Sequence, residues 1–375
     1  MNYYNELTMP NKNILEICLS PDAGGLELYM MKLSEYLHQK ISLISVINKS
    51  GKLQKYYEQK SLPYVALEKR STLLSFVSAR ELAKIIDANK IDVLHLHWTK
   101  DLLVCVLAKL FSKRKPKIVQ SRHMTMTRFK NDFYHRFIYK NITMMIAVTK
   151  QVQGQIEQYI PQDIRPKVET IYIGTQQVQQ ISVKEKQKLR EKYHLGDSFV
   201  VGIFGRVEEG KGQYLLIEAL EYLKQEGHKV KVLIVGHAMS DEYLASLKKE
   251  ILLKGMQEYV IFTGFTSEVQ ELMQVCDTVV LATKKETFGL VLIEAMAAKV
   301  AVIASDTGGP LEIIEEGVSG LLFKTGDSVA LASKIKLLLD ADLRESIAKK
   351  GQERVEKLFQ STRQYNALLN RLESL

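Results

Sequence analysis

Residues 283–309 read TKKETFGLVLIEAMAAKVAVIASDTGG, and the run before them, CDTVVLA (276–282), is short, β-branched and bounded by polar residues. Such a run reads as a core strand, and LVLI (290–293) as the first turns of a buried helix. The unit is therefore strand, short loop, helix, with Glu286 in the loop and Glu294 on the helix. The two acids stand eight positions apart, a little over two helical turns, so both can face one cleft. The N–H groups of Phe288, Gly289, Leu290 and Val291 sit where a helix begins and has no acceptor of its own to offer them, a ready anion site. Two acids and a set of amides suit a ligand with several hydroxyls and a phosphate. Taken alone, they describe no more than a loop acid and a helix-face acid.

Outward from this unit the same alternation continues in both directions. The first half has strand candidates at 13–19, 41–47, 63–67, 91–97, 117–120 and 143–149. The second has them at 199–205, 230–236, 259–264, 277–282, 300–305 and 320–323. Helical stretches separate most of them, which predicts an α/β protein with two Rossmann-like, doubly wound parallel-sheet domains. Residues 171–198 are Gln-rich and charged with no strand pattern, and read as the connection leading into a helix. The expected division is 1–180, 181–358 and a C-terminal helix at 359–375 that packs back toward the N-terminal domain. Two such sheets would face each other across a cleft lined by strand C-termini.

Each half supplies a glycine loop after its first strand. LSPDAGGLE (19–27) carries Gly24 and Gly25, where a ligand can approach the backbone or the chain can simply turn. Glu27 reads as a first-turn acid that complements the helix dipole. FGRVEEGKG (204–212) sets Arg206 and Lys211 in a loop bounded by Gly205, Gly210 and Gly212. A guanidinium and an ammonium so placed can clamp a diphosphate, or be two solvated surface cations. The loop is neither a P-loop, since Lys211 is followed by Gly, nor the dinucleotide fingerprint.

The chain has 375 residues, 46% hydrophobic and 25% charged, with a net charge of +9. Residues 1–180 carry 26 Lys+Arg against 15 Asp+Glu, and residues 181–375 carry 26 against 28. The basic excess thus belongs to the first half and favours phosphate-rich partners. Cys18, Cys105 and Cys276 lie in separate apolar runs, with neither disulfide nor metal spacing, as in a reducing compartment. No apolar segment reaches spanning length, and residues 1–13 lack the regions of a signal peptide. A cytoplasmic protein is expected, with the basic half as its means of lying peripherally on the inner face of the cell membrane.

GRVEEGKG (205–212), ETFGLVLIE (286–294), AVIASDTGGPLEII (301–314) and EGVSGLLF (316–323) occur in this order, each after a strand candidate. Together they resemble retaining glycosyltransferase family four, of GT-B fold. PDAGGLE (21–27), VLHLHW (93–98) and SRH (121–123) extend the likeness more loosely into the first half. The resemblance implies a nucleotide-sugar donor, commonly UDP-linked, and a hexose-type transfer to a glycan or lipid-linked acceptor, as in polysaccharide or lipopolysaccharide synthesis. It implies that Arg206 and Lys211 bind the donor diphosphate, beside Gly205, and that Glu294 accepts hydrogen bonds from the ribose. Glu286 would sit by the donor sugar, amides of Phe288, Gly289, Leu290 and Val291 on sugar and phosphate, and the Gly24–Gly25 loop on the distal phosphate. His123 would approach the donor sugar, with His97 a weaker match, His95 in a packed layer, and Arg122 on an acceptor phosphate or in a salt bridge. One departure is Ile173-Gly174-Thr175, where the family usually has Asn-Gly.

No carboxylate nucleophile stands out in the first half, so the resemblance implies front-face substitution assisted by the leaving phosphate, with no cofactor and no metal. Asp340 and Asp342 form the one Asp-x-Asp and fall in a helix-rich region. An epimerase or phosphorylase on the same fold, a nucleic-acid binder and a non-catalytic partner subunit are the competing readings. No aromatic stacking motif supports the second, and intact motifs oppose the third. Two segments, 101–117 and 127–140, set basic residues beside apolar and aromatic ones, as a protein facing an anionic bilayer would.

Overall fold

The computed structural model describes residues 12–22, 24–68 and 75–375. The signal-peptide reading of the N-terminus and Ala23 of the first glycine loop lie outside the described residues. In the first half, the strands β1 (Ile14–Cys18), β2 (Leu43–Asn48), β3 (Tyr64–Leu67), β4 (Val93–Leu96), β5 (Lys117–Arg122), β6 (Met144–Ala147) and β7 (Lys167–Thr170) form one sheet. Its order is β3-β2-β1-β4-β5-β6-β7, with every pair parallel. The second sheet comprises β8 (Phe199–Phe204), β9 (Val230–Val235), β10 (Val260–Gly264), β11 (Thr278–Leu281), β12 (Ala301–Ser305) and β13 (Leu321–Phe323). Its order is β10-β9-β8-β11-β12-β13, again all parallel. Parallel strands joined by helical crossovers are covered on both faces, which is why β1, β4, β6, β11 and β12 are buried throughout.

The strand absent from the sequence reading is β7, KVET. It lies at the sheet edge, pairs only with β6, and has no fully buried residue. An edge strand needs no apolar run, so periodicity does not find it.

Residues up to Ile173 together with Arg363–Leu375 form one compact unit, and Gly174–Thr362 form the other. The division falls at Ile173–Gly174 rather than at residue 180. Residues past that point bond within the second unit: Thr175 N–H donates to Phe359 O (2.8 Å) and accepts at its carbonyl from Ser361 N–H (2.9 Å), and Ile181 N–H donates to Gln274 Oε1 (2.9 Å). At Gly174 a Cβ would lie 2.5 Å from Ser361 Cα, so this crossing requires glycine. In the first unit, the part of the helix Ser361–Glu373 from Arg363 onward sets the Tyr365 ring 6.0 Å from Tyr29 and 5.3 Å from Tyr36. Tyr36 Oη also donates to Asn366 Oδ1 (2.7 Å), and Arg371 pairs with Glu169 (2.7 Å).

Both sheets have a point where neighbouring strands send their crossovers in opposite directions: β1 beside β4, and β8 beside β11. Loops leaving the C-terminal ends of such a pair diverge and leave a crevice. In the second unit the helix Gln213–Gln225 starts there through Gly212, whose φ is +75° and whose Cβ would stand 2.2 Å from Ala282 O. Gly212→Ala should therefore cost more than about 2 kcal/mol, read as a lowered urea midpoint of unfolding. An unchanged midpoint would contradict this close approach.

Candidate active site

In the second unit the loops after β8, β11 and β12 are tied into one cluster. Gly205, at φ +130°, turns the chain out of β8 while its N–H donates to Val235 O (2.9 Å). Arg206 follows, half-exposed, with Nη2 3.0 Å from Glu208 Oε1, and Gln213 Nε2 holds its carbonyl (2.9 Å). Lys211 closes the short turn Glu209–Lys211, and its Nζ lies 3.4 Å from Glu286 Oε2. Glu286 Oε1 accepts from Thr287 N–H (3.1 Å), and the Glu286 carbonyl accepts from Gly309 N–H (3.1 Å). Thr283 Oγ1 donates to Gly210 O (2.9 Å) and to Lys285 O (3.1 Å), while Ser305 Oγ donates to Thr283 O (2.6 Å). These hydroxyls fix the loop that carries Lys211 against the one that carries Glu286.

Phe288 is buried, with its ring 6.0 Å from Phe359, and a Cβ on Gly309 would lie 2.2 Å from Phe288 O. That contact pins the backbone just before the helix Leu290–Ala297, which begins at Gly289 in the left-handed region (φ +104°). Leu290 and Val291 are partly exposed in its first turn, and Glu294 is partly buried on the second. The β8/β11 crevice thus carries two cations, an acid in contact with one of them, and a helix start.

In the first unit the Gly24–Gly25 loop opens the helix Gly25–Leu37. Gly24 N–H donates to Glu27 Oε2 (2.8 Å), so Glu27 caps the helix from its first turn and already occupies the Gly24 amide. Across the switch point a buried polar chain crosses the sheet. Glu16 on β1 lies in register with His95 on β4. Its Oε1 is 2.7 Å from His95 Nδ1, and its Oε2 forms a short hydrogen bond with His97 Nε2. His95 Nε2 reaches Ser121 Oγ (2.8 Å), and His97 Nδ1 reaches His123 Nε2 (3.3 Å). The His123 ring packs 5.0 Å from Tyr29, and its Nδ1 is buried without a hydrogen-bond partner among the described residues. Burial would raise the Glu16 carboxyl, but the two facing imidazoles outweigh it and hold it down at about 2. Burial lowers His97 below the ordinary histidine value, against the pull of Glu16. His123 is held well below that value, again chiefly by burial, with His97, His95 and Arg122 adding to it.

Glu16, His95 and His97 offer three potential metal-ligating atoms close together. Their spacing argues against an ion: two donors about 2.1 Å from one tetrahedral ion would stand roughly 3.4 Å apart, whereas each carboxylate oxygen here lies at hydrogen-bond distance from its imidazole.

Sequence reading located the loops of Gly205–Lys211, Glu286–Glu294 and His123, and His95 is indeed packed, with no exposure. It missed Glu16. The available signal was one acid inside an apolar strand, matched by His95 and His97 on one face of another strand. Arg122 makes no salt bridge among the described residues. It is buried and donates to Met124 O (2.7 Å), Thr125 O (2.9 Å) and Thr99 Oγ1 (3.0 Å), holding the loop after His123. Asp340 caps the helix Ala341–Leu358 by accepting from Leu343 N–H (2.9 Å), which accounts for the Asp-x-Asp. In the basic segment 101–117, Leu102 and Val104–Ala108 are core, Lys109 binds Asn141 O (2.9 Å) and Arg114 pairs with Asp92. The other segment, 127–140, differs, with Phe133 90% and Phe129 62% exposed, and Met124 just before it is 58% exposed. Among the described residues no helix is long and apolar enough to cross a membrane.

Two family profiles match the chain: glycosyl transferases group 1 over residues 185–354, and glycosyl transferase 4-like over residues 16–150. Together they span most of its length, and the chain belongs to the family-four type of glycosyltransferases. The capsular polysaccharide biosynthesis glycosyltransferase CapM of Staphylococcus aureus is 26% identical over 341 residues, covering 87% of this chain and 88% of CapM. HepE of Anabaena, crystallised in complex with UDP and glucose, superposes with a TM-score of 0.85 at 24% identity, covering 97% of this chain and 100% of HepE. A glycosyltransferase of Rickettsia africae gives 0.88 at 22%, over 97% and 98%. The fold is GT-B.

An unfolded histidine protonates near its ordinary value of 6.5, whereas buried His97 and partly buried His123 resist the proton. Below that pH the unfolded chain therefore binds more protons, and stability falls as pH falls. Between about pH 7 and pH 5 the melting temperature should drop, and His123→Gln should lessen the drop. An equal slope in both proteins would mean that His123 titrates normally when folded.

Proposed function

We propose that this glycosyltransferase is a retaining enzyme that moves a hexose-type sugar from a UDP-sugar to a hydroxyl of a glycan or lipid-linked acceptor in cell-envelope polysaccharide synthesis. The observation that carries it is the pairing of Lys211 with Glu286 at the β8/β11 switch point, with Arg206 in the same loop as Lys211 and the helix start at Leu290 following Glu286. Cations at such a point suit a diphosphate. HepE was crystallised with UDP, with UDP and glucose, and with UDP-glucose, and CapM acts in capsular polysaccharide biosynthesis; both favour this reading.

Arg206 and Lys211 would hold the donor diphosphate and offset charge as it builds on the leaving phosphate, aided by the N–H groups at Leu290 and Val291. Glu294 would accept from ribose hydroxyls, and Glu286 would orient the sugar while steadying Lys211. The leaving phosphate would help remove the acceptor proton on the face where it departs. His123 would meet the sugar. These groups supply the charge compensation without a bound metal. Arg206→Ala and Lys211→Ala should each lower turnover of a UDP-hexose by about 10²-fold, in EDTA as without it. Glu294→Ala should mainly raise the donor KM, since ribose contacts are the same in ground and transition states. Near-normal kinetics in all three would remove the assignment.

The segment 124–134 fits the surface of an anionic bilayer as the route to a lipid-linked acceptor. Exposed Arg128 is followed there by exposed Phe129 and Phe133, and exposed Lys140 lies further along the helix Phe133–Asn141. Each cation near such a surface contributes on the order of 1 kcal/mol, and inserted rings add apolar burial. In sedimentation with phosphatidylserine-containing vesicles, wild type should bind at low salt and the Phe129→Ser/Phe133→Ser variant should lose most of that binding. Equal binding by the two, or none by wild type, would point to a water-soluble acceptor.

A further inference from the structure

Ser121, His95, Glu16, His97 and His123 form an unbroken hydrogen-bonded series in the first unit, and its directions follow from its middle. An ionised carboxylate only accepts. Each Glu16 oxygen faces one imidazole nitrogen, so His95 Nδ1 and His97 Nε2 both carry protons. A neutral imidazole has a single N–H. His95 Nε2 is therefore an acceptor, served by the Ser121 hydroxyl, and His97 Nδ1 is a bare lone pair. Burial of His97, 1% exposed, favours the neutral ring. The atom facing that lone pair is His123 Nε2, which must donate. His123 then holds its only proton on Nε2, and its buried Nδ1, without a partner among the described residues, is a bare acceptor.

We propose that Glu16 and His97 are positioning residues that fix the tautomer of His123 and present its Nδ1 as an acceptor to a ligand hydroxyl. An acceptor at that point suits a sugar hydroxyl and repels a phosphate oxygen. The hydroxyl ligand rests on the glycosyltransferase reading above, whereas the tautomer does not.

The test is a long-range proton–nitrogen correlation spectrum of the imidazoles in the nitrogen-15-labelled full chain, recorded at neutral pH without nucleotide sugar. The His123 signals are assigned by their loss in His123→Gln. A protonated Nε2 and an unprotonated Nδ1 are expected; the reverse tautomer, or two protonated nitrogens, overturns the proposal. Glu16→Leu removes the acceptor for His97 Nε2–H, so His123 should become a mixture of tautomers and turnover should fall roughly 10-fold or more. Glu16→Gln should keep both near wild type. Its carboxamide oxygen can face His97 while its NH₂ faces His95, and the Ser121 hydroxyl rotates to accept the reversed bond. An unchanged tautomer or unchanged turnover in Glu16→Leu overturns the positioning role, and His97→Phe carries the same expectation should Glu16→Leu not fold. A wild-type protein with the expected tautomer but no UDP-sugar turnover would count against the enzymatic reading alone.

Discussion

Neighbouring parallel strands whose crossovers run to opposite faces impose most of what the two units share. Each chain segment leaving β8 must turn to one side of the sheet and each leaving β11 to the other, so the space between them cannot be filled by a connecting helix. What lines it comes from the first few residues after each strand. Arg206 and Lys211 follow β8, and Glu286 follows β11, so the polar cluster is a product of topology before it is one of side-chain choice. In the other unit the same reversal puts the Gly24–Gly25 turn after β1 and His97 just after β4.

Glu16 shows how tightly a parallel sheet restricts polarity. A carboxylate in the middle of a fully buried strand costs several kcal/mol unless its oxygens are satisfied. Both are, by imidazoles that share one face of the adjacent strand, and each imidazole is satisfied in turn by a residue on or just beyond β5. Such a network tolerates no half-measures, because removing one member strands a buried partner. The uncovered nitrogen at its end stands out for that reason.

The two parallel sheets were legible because strands covered on both faces are mostly apolar, as Met144–Ala147 is along its whole length. The edge strand Lys167–Thr170 was not, since one partner and one half-covered face leave its residues free to be polar. Within the candidate site, Arg206, Lys211, Glu286 and Glu294 could be read because they sit in local loop and helix signals. Glu16 could not, for its meaning depends on His95 of β4, 79 residues later, and emerges only once the pairing of β1 with β4 is known. The partners of Arg122 could not be read for a similar reason: the carbonyls of Met124 and Thr125 are brought to it by a loop shape that no short motif encodes.

From Arg363 onward the helix Ser361–Glu373 belongs to the first unit, although the whole second unit separates it from the strands it joins. On the ribosome the first unit therefore cannot finish folding when its sheet emerges. At about 5–20 residues per second, the segment Gly174–Thr362 keeps it waiting on the order of ten to forty seconds. Throughout that interval Tyr29, which packs between His123 and Tyr365 in the finished protein, lacks its covering helix. The nascent chain thus carries an apolar seat beside the His123 ring that is closed only after Arg363–Leu375 have emerged, which couples completion of this region to synthesis of the whole intervening unit.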